Sequence, residues 1–323
     1  MSFSGDVKRE LTGQTGKGRH CQIAELTAII TMCGGVSVSA QDRASLRIQT
    51  ENRHVAEKAC VLLRKAFSVN PETGVRMYAR STVFLVAVIR HEDAVKVLRS
   101  CYLLHGFGGV SDLMDIGEEL SLEENIILQK TCCKRAFLRG AFLAAGSISD
   151  PHRSYHFEIV CPSPGKALQL VDIFASFGIE ARTVGRKFNE VLYLKEGTQI
   201  VDALGIMEAP RSLMELENIR ILREISNDIN RRVNCEAANI SKAVAAGVRQ
   251  AEDIEYIRDH GGLCQLPENL ETLAELRLEH LDASLQELGR LLTPPIGKSG
   301  VNHRFEKIAG FARQLKKKKE LHD

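Results

Sequence analysis

Tryptophan is absent from this 323-residue chain, and aromatic residues make up only 5% of it. So few rings argue against a stacking platform for single-stranded nucleic acid. No apolar run approaches the roughly eighteen residues that a membrane-spanning helix needs, so none is expected. The amino terminus, MSFSGDVKRELTG, has charges where a secretory leader needs an apolar core, so export is not expected either. There is no C-x-x-C pair. The nine cysteines, at 21, 33, 60, 101, 132, 133, 161, 235 and 264, are odd in number and scattered. That pattern supports neither a structural zinc site nor a redox motif, and free buried thiols in a reducing cytoplasm are the expectation.

What remains is the composition of an ordinary globular protein, 44% apolar and 26% charged, long enough for two or three domains. The net charge of +2 is unevenly spread. Ser284 to Asp323 carries nine Lys/Arg against four Asp/Glu, net +5, which leaves the rest of the chain at −3. A basic carboxyl-terminal end on a near-neutral body points to a polyanionic partner at that end. The four consecutive lysines 316–319 read more simply, on their own, as a solvated, frayed tail.

The organising stretch is KRAFLRGAFLAAGSISD at 134–150. It reads as a helix with a small-residue face: Gly140, Ala141, Ala144 and Ala145, then Gly146. Glycine inside a helix costs about 1 kcal/mol relative to alanine, and close approach of a second backbone is the usual compensation. AELTAIITMCGGV at 24–36 has the same character and the same glycine exit, and each copy is followed by a short β-branched run. The pair suggests a duplicated unit about a pseudo-twofold axis, with two unrelated buried helices as the plainer alternative.

The order of elements repeats as well. After a short amphipathic helix at 3–11, the first unit reads as helix 22–33, strand 45–50, helix 52–67, strands 75–79 and 82–89 joined at Arg80–Ser81, and helix 92–104. A glycine-containing connector at 106–117 follows, and Ser121-x-x-Glu124 has the form of a capping box. The second unit reads as the Gly140 helix, strand 155–160, helix 165–177, strands 180–184 and 190–193, and helix 197–204. From Ser212 the pattern is helical only: a long amphipathic helix at 214–233, then helices at 239–259 and 267–280 separated by Gly261–Gly262.

Ser284-Leu-Gln-Glu287 is a further capping box opening SLQELGRLL, with Leu285, Leu288 and Leu292 at helical spacing. Pro294–Pro295 break that helix, and a new one starts near Ser299 and runs to about Arg313. Val301, Phe305 and Ile308 share one face of it, with Phe311 a candidate fourth. Lys298, Asn302, Arg304 and Lys307 face outward or lie at the helix start. Helix, short turn, helix is the form of a major-groove reader, although plain helical hairpins share it. Asn302 and Arg304 have the chemistry for adenine and guanine edges, and Lys298 and Lys307 that for phosphates. Ser284, Ser299 and Arg313 complete the candidate DNA-binding set with His303, for which a packing or surface role is an equal reading.

Three segments carry a family resemblance: ELTAIITMCGG at 25–35, KRAFLRGAFLAAGSISDP at 134–151, and SLQELGRLLTPPIGKSGVNHRFEKI at 284–308. With them the sequence resembles the WhiA family of bacterial regulators, essentially end to end. The resemblance implies an α+β fold: a duplicated LAGLIDADG-type αββαββα body, degenerate with respect to the homing endonucleases, followed by an all-α helix-turn-helix domain. The implied boundaries are an arm at 1–19, halves at 20–105 and 133–211 joined by a connector at 106–132, a linking helix at 212–234, and the helix-turn-helix domain at 235–323.

In active enzymes of the LAGLIDADG type, an acidic residue ending each small-faced helix holds a divalent metal at the scissile phosphates. Matching the motif puts Cys33 and Ala145 at those positions. Alanine has no ligand atom and a thiol suits magnesium poorly. Asp42 and Asp150, the nearest downstream acids, lie several residues beyond the helix ends. No metal, cofactor or catalytic residue is therefore expected. Arg47, Arg76, Arg80, Arg182, Arg186 and Lys187 fall on or beside strands and are chemically suited to phosphate, with ordinary solvated strand faces as the default.

The resemblance thus implies a cytoplasmic, nucleoid-associated, non-enzymatic regulator of transcription. Its partner would be double-stranded DNA, with other regulatory proteins as further candidates and no membrane. The implied roles are cell division, chromosome segregation and, in spore-formers, sporulation. The competing readings are a residual metal-dependent nuclease and a protein-binding scaffold with only generic DNA affinity.

Overall fold

A computed structural model of the chain describes residues 2–39, 43–79, 81–103 and 126–320. The chain divides into two compact units, Met1–Arg223 and Glu224–Asp323. The first opens with α1 (Phe3–Gly13), then makes one succession twice. In the first half this is α2 (Arg19–Cys33), β1 (Gly34–Val38), β2 (Ala44–Thr50), α3 (Arg53–Phe67), β3 (Glu72–Met77), β4 (Thr82–Val88) and α4 (His91–Ser100). In the second it is α5 (Thr131–Ala145), β5 (Gly146–Ile148), β6 (Phe157–Cys161), α6 (Pro164–Ala175), β7 (Arg182–Arg186), β8 (Asn189–Leu194) and α7 (Gly197–Met207). Both halves are αββαββα, and both sheets are four-stranded and antiparallel, ordered β1-β2-β4-β3 and β5-β6-β8-β7.

Local chemistry sets these elements. Asn52 caps α3 by accepting from the His54 N–H, and Ser163 caps α6, where Pro164 stands at the first position and sacrifices no bonded N–H. In β2, Ala44, Leu46, Ile48 and Thr50 are buried while Arg47 and Gln49 are exposed, the period of two that a half-buried strand requires. The β-branched runs after the two small-faced helices are the edge strands β1 and β5, entered directly from Cys33 and Ala145. β3 starts earlier than its β-branched residues suggest, because Glu72, Thr73 and Gly74 already pair with β4. Asp42, Arg80, the 106–117 connector and the Ser121–Glu124 capping box lie outside the described residues.

The core of this unit is built around α2 and α5. Gly140 faces α2 so closely that a Cβ there would overlap the Glu25 carbonyl oxygen and stand 2.9 Å from the Ala28 Cβ. Gly140 and Ala28 are each the tenth residue of their helix, as the pseudo-twofold relation demands. The close approach inferred from the small-residue face is therefore real, and its partner is the one the pattern suggested.

Buried charge crosses the same contact. Arg139 donates to both oxygens of Glu25 (3.0 and 3.1 Å) and to Glu208 (2.7 Å), and Lys58 lies 3.1 Å from Glu25. Lys58 also bonds the Gln14 carbonyl. Glu25, Lys58 and Arg139 are each at most 1% exposed. Burial alone would lower the Arg139 pKa, but Glu25 and Glu208 outweigh it and hold the guanidinium above its usual range. Burial pulls the Lys58 ammonium down, with Glu25 opposing.

After α7 the fold departs from expectation. The two helices predicted at 214–233 and 239–259 are one, α8 (Pro210–Gly261), 52 residues long. The intervening Asn-Cys-Glu-Ala-Ala at 234–238 contains no Pro or Gly and two of the best helix formers, so nothing there ends the helix. Its start is tied to α1, since Glu10 accepts from the Arg211 and Ser212 N–H groups (2.7 and 2.9 Å). The second unit continues with α9 (Glu268–Glu279), α10 (Leu285–Leu291) and α11 (Lys298–Glu320). No strand follows Leu194 among the described residues, and none of their helices is long and apolar enough to cross a membrane.

Gly140→Ala is expected to destabilise the first unit by about 3 kcal/mol, the upper end of overpacking costs. Glu25→Gln should cost about 3–5 kcal/mol by leaving two buried cations short of a carboxylate. Urea denaturation of the full chain measures both, and losses under 1 kcal/mol would contradict the close packing described.

Candidate nucleic-acid interface

The helix pair α10 and α11 is assembled from its leucine spacing and its cap. Ser284 Oγ accepts from the Glu287 N–H (3.3 Å) and Glu287 Oε2 accepts from the Ser284 N–H (2.8 Å), so the capping box is formed. These bonds hold the Glu287 carboxyl below its usual range. After Leu292 the chain turns through the prolines, and the Ile296 N–H donates back to the Gly289 carbonyl (3.0 Å). α11 then buries Val301, Phe305, Ile308 and Ala312 against Leu270, Leu273, Ala274, Leu288 and Leu292. Phe311 is only partly buried, at the margin of that cluster.

With that face committed to the core, Lys298, Ser299, Asn302, His303, Lys307 and Arg313 are all exposed. Asn302 Nδ2 donates to Glu306 (3.0 Å), His303 Nδ1 lies 3.8 Å from the same carboxylate, and Arg313 Nε donates to the Ala309 carbonyl (3.1 Å). Ser284 is at the start of α10, with its hydroxyl engaged in the cap. Arg304 differs from its expected outward position. It is half-buried, and its Nη1 donates to the Asn269 carbonyl (3.2 Å), which ties α11 to the first turn of α9.

The lysine run also departs from the frayed tail expected of it. α11 is helical through Glu320, and Lys316 pairs with Asp253 (3.1 Å) while lying over the Tyr256 ring. Sequence reading missed Arg277, whose buried guanidinium donates to the Ala283 and Leu281 carbonyls (2.7 and 3.2 Å) and lies over Phe305. Burial lowers its pKa. A lone arginine in a predicted helix carries no signal of such a role.

In the first unit, Cys33 and Ala145 end α2 and α5 at equivalent fifteenth positions. The Cys33 thiol donates to the Ile29 carbonyl (3.3 Å), and burial pushes its pKa up to about 12. Lys8 of α1 is near enough for the two groups to perturb each other, and burial brings the Lys8 pKa down to about 8. Asp150 is exposed, accepts from the His152 N–H (2.9 Å) and faces Arg153. Arg47, Arg76, Arg182, Arg186 and Lys187 are exposed, and the register puts Arg47 with Arg76, and Arg182 with Arg186, on common sheet faces. Arg186 is drawn toward Glu158 on its own sheet (3.7 Å). At the other ends of α2 and α5 the fold gathers His20, Cys21, Cys132 and Cys133, which no local spacing motif reveals.

A twice-built αββαββα body, with a thiol and a methyl at its paired helix ends, shares this chain with a capped helix-turn-helix unit. That combination defines a LAGLIDADG-like protein carrying a carboxyl-terminal helix-turn-helix domain. The chain belongs to the WhiA family: its residues 19–104 match the WhiA N-terminal LAGLIDADG-like domain, 134–226 the WhiA LAGLIDADG-like domain, and 229–312 the WhiA C-terminal HTH domain. It is 48% identical to the "Probable cell division protein WhiA" of Lachnoclostridium phytofermentans over 98% of this chain and 100% of that one. It is 44% identical to the protein of the same name from Alkaliphilus oremlandii, over 99% of each chain. The crystal structure of full-length DUF199/WhiA from Thermatoga maritima shares the fold at a TM-score of 0.59 and 24% identity, over 97% of this chain and 99% of that one.

Ser284→Ala should lower the stability of the second unit by about 1 kcal/mol through loss of the cap. Calorimetry of the full chain against Gln286→Ala, an exposed control on the same helix, checks it. Equal behaviour of the two variants would mean that the capping box contributes nothing.

Proposed function

We propose that the protein is a non-enzymatic DNA-binding regulator of transcription that reads the major groove with α11. The observation that carries this reading is the division of α11 into a fully committed apolar face and an exposed face of Lys298, Ser299, Asn302, His303, Lys307 and Arg313. Asn302 offers the paired donor and acceptor that suit an adenine edge, and Lys298 and Lys307 offer phosphate contacts. Arg304 acts chiefly as the anchor of α11 on α9, with its remaining nitrogens toward DNA. The polar bonds within α11 are surface pairs, readily exchanged for bonds to a groove. The domain at 235–323 is the reading part, and 20–105 with 133–211 form the body.

Cleavage is not part of this function. Phosphodiester hydrolysis assisted by a divalent metal needs hard oxygen ligands at the helix ends. Cys33 and Ala145 supply none, and the neighbouring Lys8 adds an amine where a metal would need a carboxylate. Action in cell division follows the names of the relatives. Chromosome segregation, sporulation in spore-formers and a nucleoid-associated place in the cytoplasm are what the family resemblance adds.

The test is selection of genomic fragments by the full chain, with magnesium present, across a salt series. Asn302→Ala should cost about 1–3 kcal/mol on retained fragments and relax preference at one base pair. Lys307→Ala should weaken binding to all sequences and reduce the salt slope by about 1. No strand cleavage should accompany either. Cleavage, or retention that neither substitution changes, would overturn the proposal.

A further inference from the structure

We propose that His20, Cys21, Cys132 and Cys133 form a tetrahedral binding site for a thiophilic divalent cation, zinc by its ligand chemistry. The site would staple the amino-terminal ends of the two central helices. This inference is independent of how the protein engages DNA.

The placement follows the pseudo-twofold relation. His20 and Cys21 are the second and third residues of α2, and Cys132 and Cys133 are the second and third residues of α5. The parallel packing that puts Gly140 beside Ala28 brings these two dipeptides together from 112 residues apart in sequence. All four ligand atoms lie within 4.8 Å of one another. His20 Nδ1 is 3.1 Å from Cys133 Sγ, 3.3 Å from Cys21 Sγ and 4.0 Å from Cys132 Sγ. A tetrahedral zinc with Zn–S of about 2.3 Å and Zn–N of about 2.0–2.1 Å requires S···N separations of about 3.6 Å and S···S separations of about 3.8 Å. The observed N···S spacings bracket the first value, and the sulfurs, all within 4.8 Å of one another, need to close by no more than about 1 Å to reach the second.

The donor set is also selective. Three sulfurs and one imidazole match structural zinc sites, whereas magnesium and calcium take oxygen ligands. The site is set into the fold rather than spread on its surface, since Cys21 and Cys133 are 6% and 3% exposed. The glycine loop before α2 closes on it. A Cβ at Gly16 would stand 2.6 Å from the Cys21 Cβ, and one at Gly18 would stand 2.6 Å from His20 Nε2. Cys132 and His20 are exposed, which leaves an entry path. Loading exchanges the three thiol protons, released to solvent, for one cation. The resulting excess negative charge meets the amino-terminal ends of two helices and the Lys130 ammonium, whose field already reaches Cys133.

The full chain, purified under reducing conditions without chelator, is assayed for zinc by elemental mass spectrometry. The metal-free chain is then titrated with Co²⁺, whose tetrahedral thiolate complexes absorb strongly in the visible. One equivalent of zinc and a tetrahedral thiolate spectrum are expected, with a fall in Tm when the metal is removed. Cys132→Ser and His20→Ala, both at exposed positions, should weaken cobalt binding by more than about tenfold. Cys235→Ser and Cys264→Ser, at the remaining exposed thiols, should leave it unchanged. Absence of zinc together with an octahedral or featureless cobalt spectrum would overturn the proposal. So would full retention of the metal by Cys132→Ser and His20→Ala, or a disulfide among these cysteines in the metal-free protein as purified.

Discussion

The body of this protein depends on one carboxylate. Glu25 is held inside the contact between the two central helices, gripped by Arg139 from the other half and by Lys58 from its own. A charge so placed would cost several kcal/mol if unpaired, so each partner is a condition for the others being buried. The group closes electrically, because Glu208 takes up the third guanidinium nitrogen at its exposed edge. Gly140 is what lets the two helices come close enough for that grip, and the two sheets are hung on the helices through β1 and β5. The αββαββα duplication is therefore held together by packing and by buried charge at one contact.

The packing of the frame and the chemistry of its helix ends are separable in this molecule. The requirements of packing fall on the middle of α2 and α5, at Glu25, Ala28, Arg139 and Gly140. Their last residues, Cys33 and Ala145, are only partly buried and offer no side-chain oxygen. The side chains at the helix ends can therefore vary without disturbing the contact that holds the halves together. On the proposed function, DNA is read by α11 and not by the ends of α2 and α5.

Much of this was legible in the sequence for identifiable reasons. Small residues at helical spacing in 134–146 announced a close neighbour, and the glycine exits of both helices announced strands. Leu288, Leu292, Val301, Phe305 and Ile308 traced the helix-turn-helix core, with Ser284 and Glu287 marking its start. What was not legible was buried polarity. Glu25, Lys58, Arg139 and Arg277 are charged residues in helical patterns, and such residues are ordinarily read as solvent-facing. Their burial is decided by partners far away in sequence. The His20–Cys21 and Cys132–Cys133 cluster escaped for the same reason, since its spacing is set by the twofold packing and not by a local loop. The unity of α8 was hidden because residues 234–238 interrupt the apolar spacing that Ile225, Ile229 and Val233 set and Ile240 and Val244 resume, and no packing marks the join, residues 224–245 being exposed.

The most direct test of the central claim asks which surface touches the bases. A photo-crosslinking residue is placed in the full chain at Ser299 on α11 or, separately, at Arg47 on the first sheet. Each protein is bound to a genomic fragment that the unmodified chain retains, with magnesium present. If α11 reads the bases, position 299 gives base-level crosslinks at one discrete site, position 47 gives sparse and unlocalised crosslinks, and the DNA stays intact in both. Localised base crosslinks from position 47 with none from position 299 would contradict that claim, because sequence reading would then belong to the duplicated body.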